Sequence, residues 1–182
     1  MKKFSRRARV ATGGAVLAAV AVGTFGAVSA NASAPQAAQA RPAAVKSSDT
    51  FTSTHLSVSA ATEAAEAVLD AAKKENQRVS VAVVDRNGNT LVTLRSDGAG
   101  PQSYESAVKK AFTSVSWNAP TSELVKRLET TPNLKDIPGT LFLGGGVPVT
   151  ANNAPVAGIG VAGAPSGDLD EKFARAGVAA LD

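Results

Sequence analysis

The chain has 182 residues, 44% of them hydrophobic and 19% charged, with one His, one Trp, one Tyr and no Cys. The absence of cysteine excludes disulfides, thiolate metal sites and a cysteine nucleophile, and a single histidine excludes a poly-His zinc centre. The formal net charge of +4 would suit a nucleic-acid or membrane-surface partner, but five basic residues (Lys2, Lys3, Arg6, Arg7, Arg9) crowd the start, leaving fourteen basic against fifteen acidic in a near-neutral remainder.

No acidic residue falls within 1–30. The basic head is followed by a mild Ala/Gly-rich apolar stretch from Val10 to Val28 and by small-residue cleavage sites at Ala30, Ala32 and Ala34, the layout of a secretory signal. Ser5-Arg6-Arg7 ahead of it resembles a twin-arginine export signal. Thr12, Thr24 and four glycines make the stretch a poor permanent span, so residues 1–30 are expected to be cleaved and no membrane insertion to persist. Residues 31–52, rich in Ala, Pro, Ser and Gln without apolar periodicity, read as a disordered linker. The folded domain is expected over 53–182, long enough for one core without staples.

Within it, residues 59–77 place Ala61, Ala65, Val68, Leu69 and Ala72 at helical spacing, with Ser59 as N-cap. The runs Val79–Asp85 and Thr90–Arg95 flank Asn87-Gly88, a strong hairpin signal. A second helix is predicted over 102–116 and a short third over 121–130, started by Pro120. Residues 141–143, 147–150 and 155–162 read as strands broken by Gly144-Gly145-Gly146 and Asn152-Asn153, and a last helix spans 168–181. The order αββααβββα gives an α+β domain with helices packed on an antiparallel sheet.

Few motifs carry chemistry. The glycine run lacks the Gly-Lys-Ser/Thr of a P-loop, and Gly158 and Gly160 lie in a strand, so both groups read as structural. Ser166 sits in Gly-Ala-Pro-Ser-Gly rather than a nucleophile elbow, so it or Asp168 reads as a helix cap. No catalytic residue is assigned. Two carboxylate groups, Glu63 with Glu66 and Asp168 with Asp170 and Glu171, share helix faces and read first as solvated helix-start charges. Should iron bind at the surface through oxygen ligands, Glu63 and Glu66 are the candidates. On the second helix, Ser106, Lys109, Lys110, Thr113 and Trp117 fall on one side, beside an apolar stripe of Ala107, Ala111, Phe112 and Val115.

Four segments in order, VAVVDRNGNTLVTLRSDGA (81–99), SAVKKAFTS (106–114), GGGVPV (144–149) and GIGVAGAPSGDLDEKFARAG (158–177), resemble the GlcG/HbpS family of haem-binding and haem-degrading domains. The export signal and Ala/Pro-rich linker are similar to its secreted branch. The resemblance implies a profilin-like α+β fold, a homo-oligomer that is commonly an octamer, and work beside a membrane sensor kinase in haem and redox sensing. It also implies haem as cofactor, with Lys110-Ala111-Phe112-Thr113 at the haem site: Thr113 as axial contact and Lys109 or Lys110 on a propionate. His55, the sole imidazole, competes for the iron, as does Tyr104. Three functional classes follow: a secreted haem-binding and iron-binding sensor, an oxidative haem-degrading enzyme, and an oligomeric scaffold without tetrapyrrole affinity.

Overall fold

The structure is a computed structural model that describes residues 44–182. The expected signal (1–30) and the linker as far as residue 43 lie outside the described residues. Lys46–Asp182 forms one compact unit, and among the described residues no helix is long and apolar enough to cross a membrane.

The elements are α1 (Val58–Lys74), β1 (Ser80–Asp85), β2 (Thr90–Arg95), α2 (Ser103–Trp117), α3 (Thr121–Arg127), β3 (Gly146–Ala151), β4 (Ala154–Ala162) and α4 (Gly167–Ala179), with 3-10 turns at Ser47–Asp49 and Pro132–Asp136. All strand pairs are antiparallel, in the order β2-β1-β4-β3. The result is the expected α+β domain, with two corrections. Ser57, not Ser59, caps α1 by accepting from the Ala60 N–H. Residues 141–143 form no strand: the Leu141 N–H is taken by the Thr113 hydroxyl at 2.8 Å, and Leu143 N–H turns back onto the Leu141 carbonyl. An apolar triplet beside a glycine run carries no sheet partner of its own.

Helices cover both faces of the sheet. Val79, Val81, Val83, Ile159 and Val161 pack with Ala61, Ala65 and Val68 of α1 and Phe173 of α4, while Ala82, Val84 and Ala162 meet Ala107, Ala111 and Val115 of α2. The central strand β1 is therefore buried at all six positions and reads as a continuous apolar run rather than an alternation. The hairpin turns have the required chemistry: Gly88 lies at φ +88°, and Asn152 and Asn153 at +52° and +62°, the left-handed pair of a two-residue turn whose twist matches the strands. Asp85 locks the first turn by accepting from the Asn87 and Asn89 N–H groups at 2.8 Å and from the Asn89 amide at 3.2 Å.

The approach of α2 to the sheet depends on missing side chains. A Cβ on Gly160 would overlap the Ala107 carbonyl, one on Gly158 the Ala111 carbonyl, and one on Gly146 the Lys110 carbonyl. Each glycine removes a side chain where helix backbone lies directly on strand backbone, the close approach expected of glycine in a strand. Gly160→Ala is therefore expected to destabilise the domain by about 3 kcal/mol, the upper end of overpacking costs, measured as a lower urea midpoint at unchanged m. Burial pushes the Asp85 carboxyl up, but its three N–H donors, with the nearby His55, outweigh this and hold it below the ordinary value of 3.8. Its stabilising contribution is thus present above that value and lost as pH falls through the lowered one. Asp85→Asn should flatten the acid limb of the stability profile, and an unchanged limb would contradict the assignment.

Candidate functional site

The side of α2 expected to face a ligand is divided by the fold. Lys109 stands at the surface, paired with Glu105 at 2.6 Å across one helical turn. Lys110 and Thr113 point inward. The Thr113 hydroxyl is fully buried, donating to the Lys109 carbonyl at 2.7 Å and accepting from Leu141 N–H at 2.8 Å. It thereby fastens the 137–143 loop onto α2. Trp117, further along, meets Phe142 of that loop edge-on, with ring centroids 5.3 Å apart.

Lys110 is 4% exposed, and its ammonium donates to Asp170 Oδ2 at 2.7 Å and to the Val161 carbonyl at 3.0 Å. The other Asp170 oxygen accepts from Ala164 N–H at 3.0 Å. One ion pair thus ties α2 to the end of β4, the following loop and α4. Burial pushes the Asp170 carboxyl above its ordinary value, and the Lys110 ammonium and Ala164 N–H offset this only in part. Gly145, at φ +124°, passes so close that a Cβ there would sit 2.8 Å from Lys110 Nζ and 2.8 Å from Asp170 Cβ. Gly144-Gly145-Gly146 is therefore a passage for backbone past the ion pair, consistent with its structural reading.

Asp170 and Glu171 are not the solvated helix-start charges the sequence suggested. Both are buried, and Glu171 accepts from Ser122 N–H and hydroxyl at 3.2 and 2.9 Å, clamping the start of α3, while Arg175 reaches it at 2.8 Å. Asp168 alone of the three stays exposed, and Ser166 caps α4 by accepting from Leu169 N–H. The partners of Lys110 and Ser122 lie 60 and 49 residues away in sequence, so no local pattern could name them.

The ion pair floors two adjoining clefts. One, of about 450 Å³, runs between α3 and the start of α4 and is walled by Val125, Leu143, Ala164 and Pro165. The other, of about 260 Å³, lies beside the first half of α2 and includes Gln102, Ser106, Leu141 and Ala162. Lys110, Leu143, Ala164 and Asp170 belong to both. Leu143 is 56% exposed, an apolar side chain standing over the shared floor. The combined space lies in the range of small-molecule sites. An ammonium has three donors; two are used, leaving the third N–H of Lys110 for a ligand.

The other sequence candidates lie elsewhere. His55 is exposed on the segment before α1, with Nε2 2.6 Å from Ser53 Oγ and the ring near Asp85. Tyr104 is half exposed on α2 and lines neither cleft. Glu63 and Glu66 are exposed on one face of α1, and among the described residues no cluster of three or more His, Asp or Glu side chains is placed to hold a metal ion.

Comparison with known proteins places these observations. The family described as haem-degrading protein HbpS-like matches residues 56–179. The chain is 70% identical to a double mutant of Streptomyces reticuli HbpS with two Glu→Asp substitutions three positions apart; the superposition covers 79% of this chain and 99% of that one, at a TM-score of 0.78. It is 26% identical to PduOC crystallised as a haem complex, covering 71% and 96% at a TM-score of 0.65. A curated relative, an uncharacterised 15.0 kDa protein from the dhaT–dhaS intergenic region of Citrobacter freundii, is 31% identical over 113 residues, 59% of this chain and 80% of its own length.

The buried pair makes a direct stability prediction. Asp170→Asn leaves the Lys110 ammonium buried beside a neutral amide and should cost about 3–5 kcal/mol. Lys110→Met combined with Asp170→Leu removes both charges and should recover most of that loss. Equal destabilisation of the single and double variants in urea melts would show that the pair is not the tie described.

Proposed function

This chain belongs to the HbpS-like family of haem-degrading proteins, and from that premise we propose that it binds haem in the joined clefts between α2, α3 and the start of α4. The observation that carries this reading is the shared floor: the buried Lys110 ammonium with one N–H unspent, below walls made by Leu143, Val125, Leu141 and Ala164. Haem combines an apolar plane with anionic propionates. The apolar walls suit the plane and Lys110 suits a propionate; Lys109, which lines neither cleft and is paired with Glu105, is the other lysine candidate.

The iron is served less well. Among the described residues lining the clefts there is no His or Tyr donor, and the Thr113 hydroxyl reaches iron only if Leu141 N–H lets go of it. Haem is accordingly held weakly and exchangeably, through Thr113 after the 137–143 loop lifts or, in the oligomer, through His55 reaching in from the N-terminal arm of a neighbouring subunit. When bound, haem supplies the visible absorption and the redox chemistry; the chain's own residues bind it, orient it and exclude water from one side.

The remaining parts of the reading rest on the sequence. Residues 1–30 act as a twin-arginine-like export signal, so the domain works outside the cytoplasm as a homo-oligomer, an octamer in the secreted branch. There it reports haem and redox state to a membrane sensor kinase. Glu63 and Glu66 form the chain's one pair of glutamates three apart, the spacing substituted in the Streptomyces reticuli double mutant, and they are the surface site for an iron ion. The family description favours a second reading, oxidative haem degradation.

Hemin titrated into the protein should give a saturable, shifted Soret band. Leu143→Glu, which places a charge over the cleft at an exposed position, should weaken binding about tenfold or more without altering the melt. Loss of the shifted band in Thr113→Ala or in His55→Ala names the iron donor. Bleaching of the bound haem by peroxide, with iron release, supports the degrading enzyme. A spectrum of free hemin at every ratio would refute haem binding.

A further inference from the structure

A third cleft, of about 520 Å³, shares no lining residue with the other two and lies between the last turn of α1 and the end of β2. Its walls carry Lys73, Arg78 and Arg95 together with Asp70 and Asp97. We propose that this cleft binds an oxyanion, a phosphate or carboxylate group, clamped by the two guanidinium groups with Lys73 as a third cation.

The fold gathers these three cations at one cleft and, among the described residues, pairs none of them with a carboxylate. Arg78, just before β1, and Arg95, the last residue of β2, flank the open end of the hairpin, where Ser80 pairs with Arg95, and both side chains lie against the turn after β2. Arg95 donates to the Ala99 carbonyl, and the Arg78 stem lies along Gly98. A Cβ on Gly98 would sit 2.9 Å from an Arg78 guanidinium nitrogen and 3.1 Å from its Cδ, and Gly98 is also at φ +78°. Glycine therefore leaves the room that the Arg78 side chain occupies.

Among the described residues, neither guanidinium nor the Lys73 ammonium has a carboxylate within 4.0 Å. Asp70 and Asp97 line the same cleft without closing on any of the three. Held like charges repel, and a planar guanidinium recognises phosphate or carboxylate through paired N–H donors. The end of α1 does not supply the missing anion, because its terminal carbonyls are occupied: Ala72 accepts from Glu75 and Gln77 N–H groups, and Lys73 from Asn76 N–H. The lining has a formal excess of one positive charge. The two aspartates disfavour a highly charged ligand and suit one that also carries hydroxyl or amine donors.

The test is calorimetric titration of inorganic phosphate and, separately, of citrate into the haem-free full chain at low salt. Saturable binding to one site per chain is expected, weakened about tenfold by Arg78→Gln, the loss of one charge-assisted contact, unchanged by Lys135→Gln at an exposed position outside all three clefts, and diminished as salt rises. Because Arg95→Gln also removes the bond to Ala99, Lys73→Gln serves as the second variant. A response to phosphate alone assigns a phosphorylated ligand, and one to citrate alone a carboxylate. No saturable heat with either probe, or binding that survives Arg78→Gln and Lys73→Gln unchanged, overturns the proposal. Because no haem is present, failure here is separate from failure of the haem reading.

Discussion

The contact between Lys110 and Asp170 organises the part of the domain where α2, β4 and α4 meet. An ammonium and a carboxylate 2.7 Å apart, each almost wholly removed from water, are tolerable only if their remaining hydrogen-bonding capacity is met. The Val161 carbonyl and Ala164 N–H meet much of it. In doing so they fix the second helix, the end of the fourth strand, the loop beyond it and the last helix to one point. The glycine run must then pass this point without side chains, and the 137–143 loop closes over what remains, held by Thr113. Both clefts that share the pair are consequences of this arrangement. Apolar replacement would offer comparable stability, so the pair fixes how these elements meet rather than adding net stability.

The same logic separates the chain's charges into two kinds. Lys110, Asp170 and Glu171 are buried, and each is held by partners on other elements. Lys73, Arg78 and Arg95 stand at a cleft with no carboxylate partner among the described residues. An electrostatic reading from net charge sees neither kind, because the basic excess of the whole chain comes from its first nine residues. The domain's chemistry resides in where single charges are placed within a near-neutral body.

Much of the fold was legible in the sequence because its signals are local. Asn87-Gly88 and Asn152-Asn153 mark hairpins through the backbone angles they tolerate, Ser166 marks a helix start through its side chain, and the apolar spacing of Ala61, Ala65 and Val68 fixes a helix face. What was not legible depends on distant partners. Leu141–Leu143 has strand composition, but Thr113 takes the backbone donor that a strand would need. Lys110 looks like any helix lysine until β4 and α4 close around it. Asp170 and Glu171 satisfy the rule for acidic residues at a helix start and are nonetheless buried, since that rule says nothing of what packs above. Arg78 and Arg95 line one cleft only because the sheet brings the two ends of the hairpin together.

The central claim is that the clefts sharing the Lys110–Asp170 floor are where haem sits. The most direct measurement compares backbone amide NMR spectra of the protein loaded with paramagnetic hemin and with diamagnetic zinc protoporphyrin. The account predicts hemin-specific broadening strongest at Ser106, Leu143, Ala164 and Gly167 and weaker at Ser96 and Asp97 of the basic cleft. Broadening centred on the basic cleft or on the Glu63 face of the first helix, with the Leu143 and Ala164 signals intact, would contradict it.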